Sequence, residues 1–223
     1  MNEVIFFIHL TVIVGTLLYA TRLGKEALIA FITLQSLLSN LFLAKQITLF
    51  GFETIGTDVF AISGLLGMNL LQEFYGNQIT RKTILINSFL LCTYLAMSFF
   101  QLWYIPSAFD QHHTAYTIIL KGMPRIIIAS FLVYVIVQFF DAYFYQACKR
   151  LFNSKFLVLR NIISLTCSQT IDTILFSFLG LYGTVESIRD IIIIALIIKC
   201  IVICIMTPFT TLARRICRNV HES

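Results

Sequence analysis

The chain has 223 residues, 58% hydrophobic and 12% charged, with a mean hydropathy of +0.88 and a formal net charge of +5. A soluble domain carries roughly a quarter charged residues, so this composition excludes an ordinary soluble globular protein. The basic residues form no domain or stripe, which excludes a nucleic-acid surface, and six cysteines without a CxxC imply neither a disulfide framework nor a zinc site.

The N-terminus carries Glu3 first, then an apolar run, then Arg22 and Lys25. A cleaved signal peptide has the reverse charge order, so this segment is read as an uncleaved span that enters with its N-terminus outside. A spanning helix needs about 20 mostly apolar residues. Seven segments approach that length: 4–20, 27–45, 57–75, 84–104, 125–147, 161–183 and 190–211. The third is interrupted by Gly64 and Gly67 and carries Asn69, Gln72 and Glu73, which predicts a bent or partly unwound helix.

Charge placement supports this count. With the N-terminus outside, the inner loops and tail hold Arg22, Lys25, Arg81, Lys82, Lys149, Arg150, Lys155, Arg160, Arg214, Arg215 and Arg218, which is eleven of the sixteen Lys and Arg. That bias is the positive-inside pattern for seven spans, N outside and C inside. The longest outer connection lies within "WYIPSAFDQHHTAYTII" (103–119). Its adjacent His112 and His113 point apart on any regular element, so they are read as solvated loop residues rather than a metal pair.

Acids inside the spans carry the functional signal. An ionisable group at a helix centre costs a few kcal/mol on insertion scales and usually faces a cavity, a partner or a pathway. Asp141 and Asp172 each follow a glutamine by three residues, in "VQFFDAYF" (137–144) and "SQTIDTILF" (168–176). Residues at i and i+3 share a helix face, so Gln138 with Asp141, and Gln169 with Asp172, each present an amide beside a carboxylate. Ser130, Tyr134, Gln138 and Asp141 form one polar stripe, and Ser164, Ser168 and Thr173 join the second pair.

Such groups complement a guanine-like edge, whose adjacent N–H and NH2 donors stand beside a carbonyl acceptor. They also suit an amine or a proton relay. Serine and glutamine further serve as glue between packed helices. Two readings of Asp172 stay open, as a substrate ligand or as the ion-pair partner of Lys199 at similar depth in the next helix. Asp141 has no such partner in the sequence and is the stronger candidate ligand. Glu73, with Arg81 or Lys82 nearby, is read as a side chain snorkelling to water.

Several stretches together carry a resemblance: "LLSNLFLAKQITLFGFETIG" (37–56), "LLQEFYG" (70–76), "PRIIIASFLVYVIVQFFDAYFYQACKR" (124–150) and "LRNIISLTCSQTIDTILF" (159–176). This ordered set is similar to the queuosine precursor transporter family, also called the vitamin uptake transporter family. The similarity runs from about Leu23 onward, with residues 1–22 matching an extra N-terminal helix of some members. The resemblance implies one transmembrane domain that imports 7-cyano- or 7-aminomethyl-7-deazaguanine, or queuine, across a bacterial inner membrane.

By motif position it carries over Glu73, Arg125, Ser130, Gln138, Asp141, Arg160, Asn161, Ser168, Gln169 and Asp172, and Lys199 stands where many members carry lysine. Arg125 and Arg160 begin their helices from opposite membrane faces, where they gate entry or anchor the interface. Asn69 and Met206 stand where many members carry acids, so a coupling scheme resting on those carboxylates does not transfer to this chain.

The resulting expectation is an all-α polytopic membrane protein that binds a purine-like small molecule, contacts lipid and not nucleic acid, and uses no cofactor. The substrate ligands would be Gln138, Asp141, Gln169, Asp172, Ser168, Tyr134 and Asn161, with Lys199, Glu73, Arg125 and Arg160 in coupling or ion-pair roles. An enzyme has little support, with no GxSxG, no HExxH and no histidine near the buried acids. Two alternatives remain, a substrate-binding subunit driven by a separate ATPase, since no Walker motif is present, and a structural membrane subunit. Neither the oligomeric state nor the deazaguanine carried is legible.

Overall fold

A computed structural model describes residues 1–42, 45–107, 109–121, 124–183 and 188–221. The bundle comprises α1 (Asn2–Leu23), α2 (Lys25–Leu41), a hairpin of β1 (Gln46–Leu49) and β2 (Phe52–Ile55), α3 (Asp58–Tyr75) and α4 (Asn77–Trp103). The short α5 (His113–Lys121), then α6 (Pro124–Leu151), α7 (Leu157–Phe176), α8 (Ile188–Met206) and α9 (Thr210–His221) complete it. Each of the seven apolar segments of the sequence is helical over most of its described length. Five helical stretches are long and apolar enough to cross a membrane: α1, α4, Ile128–Leu151 of α6, Leu157–Gly180 through α7 and the turn after it, and Ile191–Ile216 from α8 into α9.

The other two are short for a crossing. At 1.5 Å per residue, the 17 residues of α2 reach about 26 Å, against a hydrocarbon core of about 30 Å. Helix α2 ends at Leu41 rather than 45, because the chain turns into the hairpin. That hairpin turns on Phe50 and Gly51, both at positive φ (51° and 83°), the geometry that matches the strands' own twist. It is tied to the start of α1: Asn2 Nδ2 donates to the Thr48 carbonyl at 2.9 Å, and the Phe50 N–H donates to Glu3 Oε1 at 3.2 Å.

Helix α3 is the centre of the molecule, with twelve of its eighteen residues buried. The sequence predicted a bent or partly unwound helix here, and the unwinding is corrected: α3 is α-helical throughout Asp58–Tyr75. Its glycines instead let α2 come close. A Cβ on Gly67 would stand 3.0 Å from Ile32 Cγ1, and one on Gly64 would stand 3.5 Å from Gln35 Cβ. Small residues at a helix contact are how membrane helices gain packing in a solvent as apolar as their own side chains. Buried apolar residues of α1, α2 and α3 form most of the core, among them Leu10, Leu17, Leu28, Ile32, Ile62 and Leu66.

Connections at one end are tight. Gly24 (φ 107°) joins α1 to α2 and Gly76 (φ 84°) joins α3 to α4, conformations an L side chain rarely adopts. The far end of α7 runs into a π-helical turn over Ser177–Leu181. Pro208, which lacks an N–H, follows the end of α8 in a 3-10 turn before α9. His112 is exposed and His113 half-buried at the start of α5, in keeping with solvated residues. The five described cysteines are free thiols.

Candidate functional site

One cavity of about 400 Å³ lies in the half of the bundle that carries Met1. It is walled by the last turns of α2, the first half of α3, the first half of α6, the last turns of α7 and the first half of α8, and Thr54 of the hairpin closes over it. The amphipathic pattern explains why: each of these helices turns its polar residues towards the same space. From α2 come Ser36, Ser39 and Asn40; from α6, Ser130, Tyr134 and Gln138; from α7, Gln169, Asp172 and Thr173.

Two of the lining amides hold unsatisfied acceptors. Gln138 and Gln169 are 3% and 2% exposed, and the Oε1 of each has no hydrogen-bond partner. A buried polar atom without a partner costs about 1–3 kcal/mol, so its retention calls for an explanation. Beside them the Tyr134 hydroxyl receives the Asn87 amide, and the same amide donates to Ser36 Oγ at 2.8 Å. Ser130 Oγ donates to Asn40 Oδ1 at 3.1 Å, joining α6 to α2 at the cavity edge.

The charged wall is a triad. Lys199 Nζ donates to Asp172 Oδ2 at 2.7 Å and to Thr173 Oγ1 at 3.0 Å, so the ion-pair reading of Asp172 is realised. Asp172 nevertheless lines the cavity and keeps 28% of its side chain exposed. A second acid, Asp58 at the start of α3, stands 3.8 Å from the same Nζ. Sequence reading passed over Asp58 because a helix-start aspartate reads as a first-turn residue favoured by the dipole. The C-terminal half of α2, "LQSLLSNL" (34–41), was also passed over, although Gln35, Ser36, Ser39 and Asn40 cluster there.

Asp141 lies elsewhere. It is fully buried, does not line the cavity, and its Oδ1 accepts from Ser164 Oγ at 2.7 Å and from Ser168 Oγ at 2.6 Å. Its Oδ2 has no partner. Ser168 therefore serves Asp141 across the α6–α7 contact. Asn161, also fully buried, donates to the Leu157 carbonyl at 3.0 Å and leaves its Oδ1 unpartnered.

At the opposite end of the bundle a second ionic cluster forms. Arg160 Nη2 donates to Glu73 Oε1 at 3.2 Å, Lys149 Nζ reaches Glu73 Oε2 at 3.0 Å, and the Tyr145 hydroxyl donates to the same oxygen at 3.3 Å. The expectation that Glu73 snorkels beside Arg81 or Lys82 is corrected: it is 6% exposed and pairs with Lys149 and Arg160. Arg160 is fully buried, with its guanidinium 5.5 Å from the Tyr145 ring. The Arg125 side chain lies outside the described residues.

A family model described as "Putative vitamin uptake transporter" matches residues 54–213 of the chain. The chain belongs to the vitamin uptake transporter family. Its relatives include a "Probable queuosine precursor transporter" of Bacillus subtilis (strain 168), 30% identical over 225 residues that cover 98% of this chain and 96% of the relative. No solved structure matches the chain. The family segment contains both ionic clusters and both Gln-x-x-Asp pairs, while the α2 wall of the cavity lies ahead of it. The two positions where many members carry acids are dry in this chain. Met206 is part of the apolar core, and Asn69 is fully buried with neither side-chain atom bonded.

Proposed function

We propose that this chain is a secondary-type importer of a 7-deazaguanine precursor of queuosine, embedded in a bacterial inner membrane by seven helices, N outside and C inside. The two unsatisfied amide oxygens of Gln138 and Gln169 in the cavity carry the reading. They are acceptors waiting for N–H donors, and a guanine-like edge supplies adjacent N–H and NH2 groups. The amide nitrogens and Asp172 complete the complement, with Tyr134 in the wall. A volume of about 400 Å³ falls in the range of small-ligand sites.

In this orientation the cavity opens towards the outer face, and the Glu73–Arg160–Lys149 cluster closes the inner end. Along α7, Asp172 and Arg160 are twelve residues apart, about 18 Å of helix. Between them Asp141, Ser164, Ser168 and Asn161 form a buried polar layer that a substrate passes when the inner end opens. Asp141 thereby acts after capture rather than in first binding. The whole chain works as one transmembrane domain, with α1 packed into its core.

The decisive experiment is rescue of tRNA queuosine in a host lacking both precursor synthesis and its own importer, with each deazaguanine supplied at low concentration. Rescue that disappears with Gln138→Leu or Gln169→Leu supports the site. No rescue by any deazaguanine despite good membrane expression overturns the function. Proteoliposomes of the purified chain test the mechanism: accumulation without ATP supports secondary transport, whereas uptake only with a co-reconstituted ATPase overturns it.

A further inference from the structure

We propose that Asp58 makes this cavity selective for substrates with a positively charged arm, so that a protonated aminomethyl deazaguanine is preferred to a neutral one. The inference rests on the transport reading above and deepens it. Three charged side chains stand among the described lining residues: Asp58, Asp172 and Lys199. Two carboxylates against one ammonium leave a net charge of −1 facing the ligand space.

The two acids do not share Lys199 equally. Asp172 holds it at 2.7 Å with a direct hydrogen bond, and Thr173 takes a second ammonium proton at 3.0 Å. Asp58 stands at 3.8 Å, beyond hydrogen-bond reach. Asp172 is therefore the more tightly paired acid and Asp58 the more weakly paired one. Asp58 also sits in the first turn of α3, where the unpaired N–H groups and the helix dipole favour a negative charge. With 15% of its side chain exposed, on the wall of an otherwise largely apolar cavity, its field is only partly screened.

The amide acceptors supply the independent evidence that a ligand belongs here. Gln138 and Gln169 are nearly fully buried, the Oε1 of each lacks a partner, and both residues line the same space. They read a planar donor edge and carry no charge, so they treat cyano- and aminomethyl-substituted rings alike. Discrimination falls to the charge opposite. A protonated amine at the ring's arm neutralises Asp58, whereas a nitrile leaves that acid buried under the ligand with only a share of Lys199, which Asp172 holds more closely.

Uptake of labelled 7-aminomethyl-7-deazaguanine and 7-cyano-7-deazaguanine is compared in proteoliposomes of wild type, Asp58→Asn and Asp58→Glu. Wild type is expected to favour the aminomethyl compound by about tenfold or more, the scale of one close charge pair. Asp58→Asn is expected to collapse that ratio towards one, and Asp58→Glu to restore most of it. A purely structural role for Asp58 would lower uptake of both compounds together and leave the ratio intact, which overturns the proposal. Equal uptake of the two by wild type also overturns it while leaving the importer reading standing. Uptake of neither, from folded protein, overturns both.

Discussion

Replacing Glu73 with glutamine removes the only carboxylate that compensates Arg160 among the described residues. Arg160 is fully buried, and its Nε and Nη1 already lack partners, so it has no route to water. Breaking a buried pair from one side costs about 3–5 kcal/mol, because the surviving charge stays desolvated. Arg160→Met runs differently. Glu73 then keeps Lys149 at 3.0 Å and the Tyr145 hydroxyl at 3.3 Å, so the cost falls to about 1–2 kcal/mol of lost packing and hydrogen bonding. In the double variant no buried guanidinium remains, and Lys149, 24% exposed, can turn to water. The double variant should therefore be more stable than Glu73→Gln alone. Reversible unfolding in mixed detergent micelles, followed by near-UV circular dichroism, measures all three. A Glu73→Gln variant within about 1 kcal/mol of wild type would refute the reasoning, as would a double variant less stable than the single.

Gly67→Leu should overpack the α2–α3 contact by about 1–3 kcal/mol, whereas Gly64→Ala, whose new atom meets Gln35 at an ordinary 3.5 Å, should be nearly neutral; thermal unfolding in detergent separates them. Lys199→Met leaves Asp58 and Asp172 facing each other, yet both reach the cavity, so its stability cost should be less than half that of Glu73→Gln in the same unfolding assay. Ser164→Ala with Ser168→Ala strips both donors from fully buried Asp141 and should cost about 3–6 kcal/mol at two charged hydrogen bonds, read in the same way. Gln169→Leu removes an unpartnered acceptor, so it should hold or raise stability while lowering uptake about tenfold or more, and stability that falls would mean the amide is packing glue; Gln138→Leu also loses its bond to Tyr134 and should cost about 1 kcal/mol beside the same loss of uptake.

The apolar segments were legible because a period-free run of Ile, Leu, Phe and Val has no alternative to a helix in lipid. The Lys199–Asp172 pair was legible too, since equal depth in consecutive antiparallel helices follows from counting residues. What counting cannot supply is rotation about each helix axis, or which non-consecutive helices touch. Glu73 meets Lys149 and Arg160 across α3, α6 and α7, 76 and 87 positions away, and nothing local to "LLQEFYG" encodes that choice over nearby Arg81. Asp58 was hidden for the opposite reason, because its local role at a helix start is a sufficient explanation by itself. The hairpin signal was present in Phe50-Gly51 between two β-prone runs, but all of it fell in the connection between the second and third apolar segments, where hydropathy alone carries no strand signal.

The two Gln-x-x-Asp pairs show how much rotation matters. With 3.6 residues per turn, i and i+3 differ by about 60° around the axis. On α7 the ligand space spans that angle, so Gln169 and Asp172 both line it. On α6 the cavity edge falls between the pair: Gln138 looks into it, and Asp141 turns towards Ser164 and Ser168 of α7. One motif thus produces a cavity acid held by a lysine and an interior acid held by two hydroxyls. The difference has a mechanical consequence. Hydroxyls give up a carboxylate at about 1–3 kcal/mol per bond and leave no charge behind, whereas Arg160 cannot release Glu73 without stranding a buried cation. If substrate passes between α6 and α7, Asp141 can exchange its serines for ligand N–H groups locally. The Glu73 cluster can part only where Arg160 gains water or a new anion as it does so. In the proposed orientation, opening the inner end would therefore demand movement of whole helices, with the larger barrier at Arg160 rather than at either of the acids that first drew attention.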